Sequence, residues 1–175
     1  MAYDVRVIRL LPLVMLLGCA STIVAPVSQS QPQSPQLLPP VALSTLDGQP
    51  AQLAQVAAGR PALVSLWATW CEACTGEFAA LARLDAATRG AGATVIAVAV
   101  GEPRAKVADF VRSRGLPYAQ LVDEQFRLAD ALGQSRVPAT LVLDRAGRIV
   151  YRGAAFDESA LAALRRTLAE THAAR

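Results

Sequence analysis

Cysteine and histidine are scarce in this sequence. Its 175 residues include three cysteines and a single histidine, His172. A structural zinc site needs four ligands, commonly cysteine or histidine, and Cys71 and Cys74 have no obvious partners for one. The sequence therefore predicts neither a metal site nor a cofactor.

Charge of one sign and long apolar runs are also limited. The formal net charge is only +3, and the arginines are scattered, which argues against a nucleic-acid partner. The apolar run of residues 10–17 is far shorter than the ~20 residues that span a bilayer. Hydrophobic residues nevertheless make up 53% of the chain. This content allows a core that needs no structural disulfide, so the cysteines are free for chemistry.

The N-terminus resembles an export signal. Arg6 and Arg9 precede the apolar run, as in the basic and apolar regions of a signal peptide. The run ends in Leu-Leu-Gly-Cys at Cys19, which resembles the lipobox of bacterial lipoproteins, where the cysteine is acylated. We therefore predict a lipoprotein-type signal peptide over residues 1–18 and a lipid anchor at Cys19. The alternative is an ordinary signal peptide that is cut nearby.

Residues 19–40 differ in composition from the rest of the chain. They are rich in proline, glutamine and serine, and they carry no charge. Such a composition favours an extended, disordered spacer. The sequence therefore predicts a lipidated tether over residues 19–40 and one domain over residues 41–175, attached to a bacterial membrane and facing the periplasm or the cell exterior.

Within residues 41–175, strand and helix patterns alternate. Asp47-Gly48 predicts a hairpin, and Asp123 and Asp157 are candidate helix caps. The predicted strands are residues 41–46, 52–53, 62–67, 94–100, 118–122, 139–143 and 149–152, and the predicted helices lie around residues 72–88, 107–111, 126–132 and 161–168. This alternation predicts an α/β three-layer sandwich, with a mixed sheet covered by helices on both faces.

The segment Trp67-Ala68-Thr69-Trp70-Cys71-Glu72-Ala73-Cys74 joins a predicted buried strand to a helix N-terminus. There the sulfur of Cys71 faces free N–H groups and the positive end of the helix dipole, which favour the reactive thiolate. Cys74 lies one turn further in, where it is more shielded. We therefore expect Cys71 to attack a disulfide and Cys74 to release the product. A structural disulfide and half of a zinc site are the alternatives.

These residues resemble the thioredoxin superfamily, and specifically its extracytoplasmic ResA- and TlpA-like branch. Residues 67–71 match the W-A-x-W-C signature, and Val137-Pro138 matches a strand-leading proline in the cis form. Residues 101–132 match the helix and strand that this branch inserts, and the whole resemblance covers about residues 40–170. It implies a thioredoxin-like fold, contact of Trp70, Val137 and Pro138 with the substrate, and proton exchange between Glu77 and the buried Cys74.

The resemblance also implies an activity. It implies a thiol–disulfide oxidoreductase that reduces disulfides of extracytoplasmic proteins, for example in cytochrome c maturation, and that receives electrons from a membrane protein. Ala73 departs from the usual proline, and Ser65 stands where cytoplasmic thioredoxins have a buried aspartate, which leaves the proton relay to Glu77. The alternatives are a disulfide-forming oxidant, a thiol peroxidase-like redoxin and a non-catalytic lipoprotein binding module.

Overall fold

The computed structural model describes residues 36–173. The strands are β1 Gln36–Leu37, β2 Leu43–Thr45, β3 Pro50–Ala51, β4 Ala62–Trp67, β5 Thr94–Val100, β6 Ala119–Asp123, β7 Ala139–Leu143 and β8 Arg148–Gly153. The helices are α1 Leu53–Ala57, α2 Glu72–Arg89, α3 Arg104–Arg114, α4 Arg127–Ala131 and α5 Glu158–Ala173. The predicted signal peptide, Cys19 and most of the predicted tether lie outside the described residues. Within residues 36–173, no helix is long and apolar enough to cross a bilayer.

The eight strands of residues 36–173 form one mixed sheet in the order β1-β8-β7-β4-β5-β6-β2-β3. The central strands β4, β5 and β6 run parallel. The other neighbouring pairs run antiparallel, including β4 with β7 and β7 with β8. Each of the residues of β4 and β5 is buried, which explains their nearly continuous apolar sequences.

Helices cover both faces of the sheet. Leu63 and Trp67 of β4 pack in a core with residues of α2, α3 and α5. Val64 and Leu66, which alternate with them along the strand, pack on the opposite face with residues of α1 and α4. The predicted three-layer α/β sandwich is therefore confirmed.

Two short elements were not expected from the sequence. Gln36 and Leu37, which fall within the predicted tether, pair with β8 as an edge strand. Leu53, expected at the end of a strand, instead begins the five-residue helix α1. Elements of two and five residues are too short to show a hydrophobic period, and β1 is held by backbone pairing with β8.

The start of α4 also differs from the prediction. Phe126 was expected inside this helix, but it precedes α4 and has a positive φ of 57°. The carboxylate of Asp123 still performs the predicted capping, because it accepts hydrogen bonds from the N–H groups of Arg127, Leu128 and Ala129 at 2.9, 2.9 and 3.2 Å. It does so from the end of β6, and the intervening residues form a turn.

Candidate active site

The two cysteines lie where β4 passes into α2. Cys71 is the N-cap of α2 and forms a disulfide with Cys74, with an S–S distance of 2.07 Å and a Cα–Cα distance of 5.3 Å. The N–H of Cys74 donates a hydrogen bond of 3.2 Å to the sulfur of Cys71. The first turn of α2 thus directs a backbone N–H at the sulfur of Cys71, at the helix start that the sequence predicted.

The two cysteines differ slightly in their exposed fraction. Cys71 is 6% exposed and Cys74 is 1% exposed. The neighbouring Trp70 is 66% exposed, although it is a large apolar residue. Both cysteines are buried in the disulfide form, and Cys71, the slightly more exposed of the two, follows an exposed apolar ring.

The structure brings two of the predicted substrate-contacting residues, Trp70 and Val137, to one cleft. The Val137–Pro138 bond is cis, as the resemblance implied. The cleft has a volume of about 290 Å³. Its lining consists of Leu66, Trp70, Val100, Phe126, Ala129, Asp130, Gln134, Ser135, Arg136 and Val137.

Glu77 lies on α2, one turn beyond Cys74, and is partly buried. Its Oε1 accepts a hydrogen bond of 3.1 Å from the N–H of Phe156. Its Oε2 is buried and has no hydrogen-bond partner among the described residues. Burial raises the pKa of the Glu77 carboxyl, the hydrogen bond from Phe156 lowers it, and the negative charge of Asp157 raises it further. The net effect is a pKa above the ordinary value for glutamate. Glu77 thus holds its proton to a higher pH than an exposed glutamate does.

Glu102, which the sequence analysis did not single out, fixes the loop before Cys71. It is only 3% exposed. Its Oε2 accepts from the N–H of Thr69 at 2.5 Å, and its Oε1 accepts from the Thr69 hydroxyl at 2.5 Å and the Lys106 ammonium at 2.6 Å. Burial alone would raise the pKa of the Glu102 carboxyl, but the hydrogen bonds from Lys106 and Thr69 outweigh it and lower the pKa. The carboxylate is therefore charged and bound to the motif that carries Cys71.

A signal for Glu102 was present in the sequence. The strands β4 and β5 are parallel, with Trp67 opposite Ala99, so the residues that follow the two strands meet at one edge of the sheet. Glu102 follows β5 closely, as Thr69 follows β4. A carboxylate at this point is a candidate partner for the loop, but only once the two strands are known to be parallel neighbours.

Comparison with known proteins places the chain in a family. The family model described as Redoxin matches residues 33–167. The chain is 30% identical over 111 residues to "Thiol-disulfide oxidoreductase ResA" of Geobacillus thermodenitrificans, covering 63% of each protein. It is 30% identical over 162 residues to "Thiol:disulfide interchange protein DsbE" of Escherichia coli K12, covering 85% of each. Against four ResA relatives the match spans only 51–63% of their lengths.

Solved structures agree on the fold. The structure of a thiol:disulfide interchange protein of the thioredoxin family from Chlorobium tepidum TLS superposes with a TM-score of 0.63 at 22% identity. The superposition covers 77% of this chain and 97% of that one. The thioredoxin-like fold expected from the sequence is therefore confirmed. Because the family model matches most of the chain, this protein belongs to the Redoxin family, as a thioredoxin-like protein similar to ResA and DsbE.

Proposed function

We propose that this protein is a thiol–disulfide oxidoreductase that reduces disulfides of extracytoplasmic proteins through Cys71 and Cys74. The observation that carries the proposal is the disulfide between these residues at the N-terminus of α2, with Cys71 at its more exposed end. The relatives named thiol-disulfide oxidoreductase ResA and thiol:disulfide interchange protein DsbE support the same chemistry.

In the proposed reaction, the reduced enzyme supplies two electrons. The thiolate of Cys71 attacks one sulfur of the substrate disulfide, which forms a mixed disulfide and releases the other substrate sulfur as a thiolate. The thiolate of Cys74 then attacks the sulfur of Cys71. This step restores the Cys71–Cys74 disulfide seen in the structure and releases the second substrate thiolate. The protons lost by the two enzyme thiols balance those that the two substrate thiolates take up.

Glu77 is the proposed proton acceptor for the second step. The Cys74 thiol is nearly inaccessible to solvent, so its proton needs an acceptor within the protein. Glu77 follows Cys74 by one helical turn, and its buried Oε2 has no hydrogen-bond partner in the described part of the chain. A carboxyl with a raised pKa exchanges protons more readily near neutral pH than an ordinary glutamate does.

The proposed substrate contact uses Trp70, Val137 and Pro138. Trp70 offers an exposed apolar surface directly before Cys71. The backbone of Val137, which precedes the cis peptide bond, is proposed to pair with an extended substrate segment by strand addition. Trp70 and Val137 line the same cleft, so that one segment of substrate can contact both.

The proposed setting is the outer side of a bacterial membrane. A lipid attached at Cys19, followed by a spacer, would hold the domain near the bilayer. The proposed source of electrons is a membrane protein with a dithiol that reduces the Cys71–Cys74 disulfide by the same exchange. The motivation for both is the lipobox-like sequence at Cys19 and the resemblance to the ResA-like branch.

The test is to trap substrates in cells with the full-length Cys74→Ser variant, which forms the mixed disulfide but does not resolve it. We expect a discrete set of proteins linked to Cys71, which are released by a reducing agent. The matched control is the Cys71→Ser/Cys74→Ser double variant, which should capture none of them. Equal capture by the two variants, or a wild-type pair that stays oxidised while its reductant supply is intact, would refute the proposal.

A further inference from the structure

Arginines that are scattered along the sequence gather at one end of the folded domain. The start of β4 lies beside the start of β5 and the end of β7. The turns before β4, β5 and β6 and the turn between β7 and β8 therefore lie at the end of the sheet opposite Cys71, where helices α2 and α3 also end. This end, the basal pole, carries Arg60, Arg89, Arg112, Arg114, Arg145 and Arg148.

Contacts join these segments into one surface. The Nε of Arg145, in the turn between β7 and β8, donates a hydrogen bond of 3.3 Å to the carbonyl oxygen of Gly59, in the turn before β4. Leu37 of β1 lies opposite Arg148 at the start of β8, and it is 65% exposed although it is a large apolar residue. The basal pole thus combines positive charge with an exposed apolar side chain.

Acidic side chains offset only part of the positive charge of the basal pole. The acids there, including one in the last turn of α5, are Asp85, Asp109, Asp144 and Glu170. The first two form ion pairs with the arginines at the ends of α2 and α3. Six arginines and four acids leave a net charge of +2 on the described residues of this pole.

The end of the domain that holds Cys71 has the opposite sign of charge. Its acids are Glu72, Glu77, Glu102, Asp123, Glu124, Asp130, Asp157 and Glu158. Its bases are Arg104, Lys106, Arg127, Arg136 and Arg152. Because the acids outnumber the bases, an anionic surface attracts the basal pole and repels the end with Cys71.

The predicted lipid anchor does not by itself decide which end meets a bilayer. Cys19 precedes Gln36 by 17 residues (36 − 19), a length of chain that can reach about 60 Å when fully extended. The domain can therefore turn either end to the membrane. Charge favours the basal pole, since each arginine close to anionic headgroups strengthens binding about fivefold.

We propose that the basal pole binds a bilayer surface rich in anionic phospholipids, with Leu37 and the arginines at the headgroups and Cys71 turned away from the bilayer. The 18 residues of α2 join the two ends, so Cys71 lies about 27 Å from the basal pole along the helix axis. Protein substrates then approach Cys71 from the aqueous side. The inference rests on the proposed function, because the proposed setting at the outer side of a membrane supplies the bilayer.

The test measures which end of the domain meets the bilayer. The full chain is reconstituted in vesicles of phosphatidylglycerol and a phospholipid with brominated acyl chains, which quench nearby tryptophans. Both native tryptophans, Trp67 and Trp70, shortly precede Cys71, so the wild-type fluorescence should not be quenched. Leu37→Trp places a reporter at the basal pole, in a strand position that suits an aromatic residue, and its added fluorescence should be largely lost.

Charge variants of the Leu37→Trp chain test the cause. Arg114→Gln/Arg145→Gln/Arg148→Gln should lower the ratio of docked to free domain about 100-fold, at about fivefold for each arginine, and so abolish the quenching. The same three changes to lysine keep the charge and should keep the quenching, which separates loss of charge from loss of fold. Salt at about 1 M, where screening acts within about 3 Å, should also abolish it.

The matched control is Arg83→Gln/Arg165→Gln/Arg166→Gln, which removes the same charge from exposed positions within α2 and α5, away from the basal pole. It should keep most of the quenching. Equal effects of the two glutamine triples, no quenching of Leu37→Trp, or quenching of the native tryptophans instead would overturn the inference. So would a dimer that the basal glutamine triple dissociates while the vesicles have no effect.

Reduction of a soluble disulfide separates the two proposals. If the reduced wild-type chain reduces hydroxyethyl disulfide but the reporter at position 37 is not quenched, only the inference fails. If the chain reduces no disulfide, the proposed function fails, whichever end of the domain meets the bilayer.

Discussion

Replacing Glu102 should destabilise the protein through the loop that carries Cys71. In Glu102→Ala, the N–H and the hydroxyl of Thr69 lose their acceptors. A hydrogen bond to a charged group contributes about 1.5–3 kcal/mol. The bond from Lys106 adds little, because the side chain of Lys106 is 56% exposed and regains water. Because Thr69 is only partly buried and regains some water, the loss should be smaller than the sum of its two bonds, and we expect the free energy of unfolding to fall by about 2–4 kcal/mol.

The conservative variant should have an intermediate effect. Glutamine in Glu102→Gln keeps one oxygen that can accept from Thr69, but its amide donor meets the Lys106 ammonium. We expect a loss of about 1–2 kcal/mol. Lys106→Met takes the ammonium from a buried carboxylate that keeps both hydrogen bonds from Thr69, so we expect it to cost about 1–2 kcal/mol. The assay is urea unfolding of the oxidised full chain, read as a change in midpoint at constant m.

The pH dependence gives a second readout for Glu102. The pKa of the Glu102 carboxyl is lowered in the folded state. The stability that the charged carboxylate contributes is therefore present above the ordinary glutamate pKa, and it is lost as the pH falls through the lowered pKa. The cost of Glu102→Ala should therefore shrink in acid. The reasoning is refuted if Glu102→Ala costs no more than Lys106→Met at neutral pH, or if its cost grows as the pH falls.

The other two predictions concern Glu77 and Gly101. Burial raises the pKa of Glu77, so the stability that the protonated carboxyl contributes is lost as the pH rises past that pKa. Glu77→Gln should therefore resist urea better than wild type at about pH 7 but not below about pH 4. A less stable variant at neutral pH would contradict this. Gly101→Ala should cost about 2–4 kcal/mol, from a positive φ and a clash with Phe126. Gly133→Ala, at a φ of +63° with nothing within 4 Å, should cost only about 1–2 kcal/mol; equal costs would contradict the close packing of Phe126 on Gly101.

The long elements could be predicted because their residues show a hydrophobic period or a continuous apolar run. The structure has β5 at Thr94–Val100, within the predicted bounds, and α2 extends one residue beyond its predicted end, to Arg89. The failures are local. The edge strand β1 depends on pairing with β8, which a tether-like composition does not reveal. Nothing in the spacing of apolar residues showed that Phe126 would precede α4.

The candidate site also has a part that local sequence motifs predicted and a part that they did not. Cys71, Cys74 and the Val137–Pro138 bond belong to short sequence motifs. The geometry of the two cysteines followed from their position at a helix start, and the cis form of the Val137–Pro138 bond was implied by the family resemblance. Glu102 contacts Thr69 across 33 residues of sequence. The position of Phe126 in the lining of the cleft depends on the turn between β6 and α4. Such contacts arise only when the parallel strands are assembled, so local patterns did not predict them.

The most direct test of the account is a redox titration of the Cys71–Cys74 pair. The full chain is equilibrated with mixtures of oxidised and reduced dithiothreitol, quenched by alkylation and read by peptide mass mapping. We expect a reversible transition of the folded protein, with about 30 mV for each tenfold change in the ratio of disulfide to dithiol. We also expect limited alkylation of the reduced protein to label Cys71 before Cys74. A disulfide that opens only when the chain unfolds, or labelling of Cys74 first, would contradict these expectations.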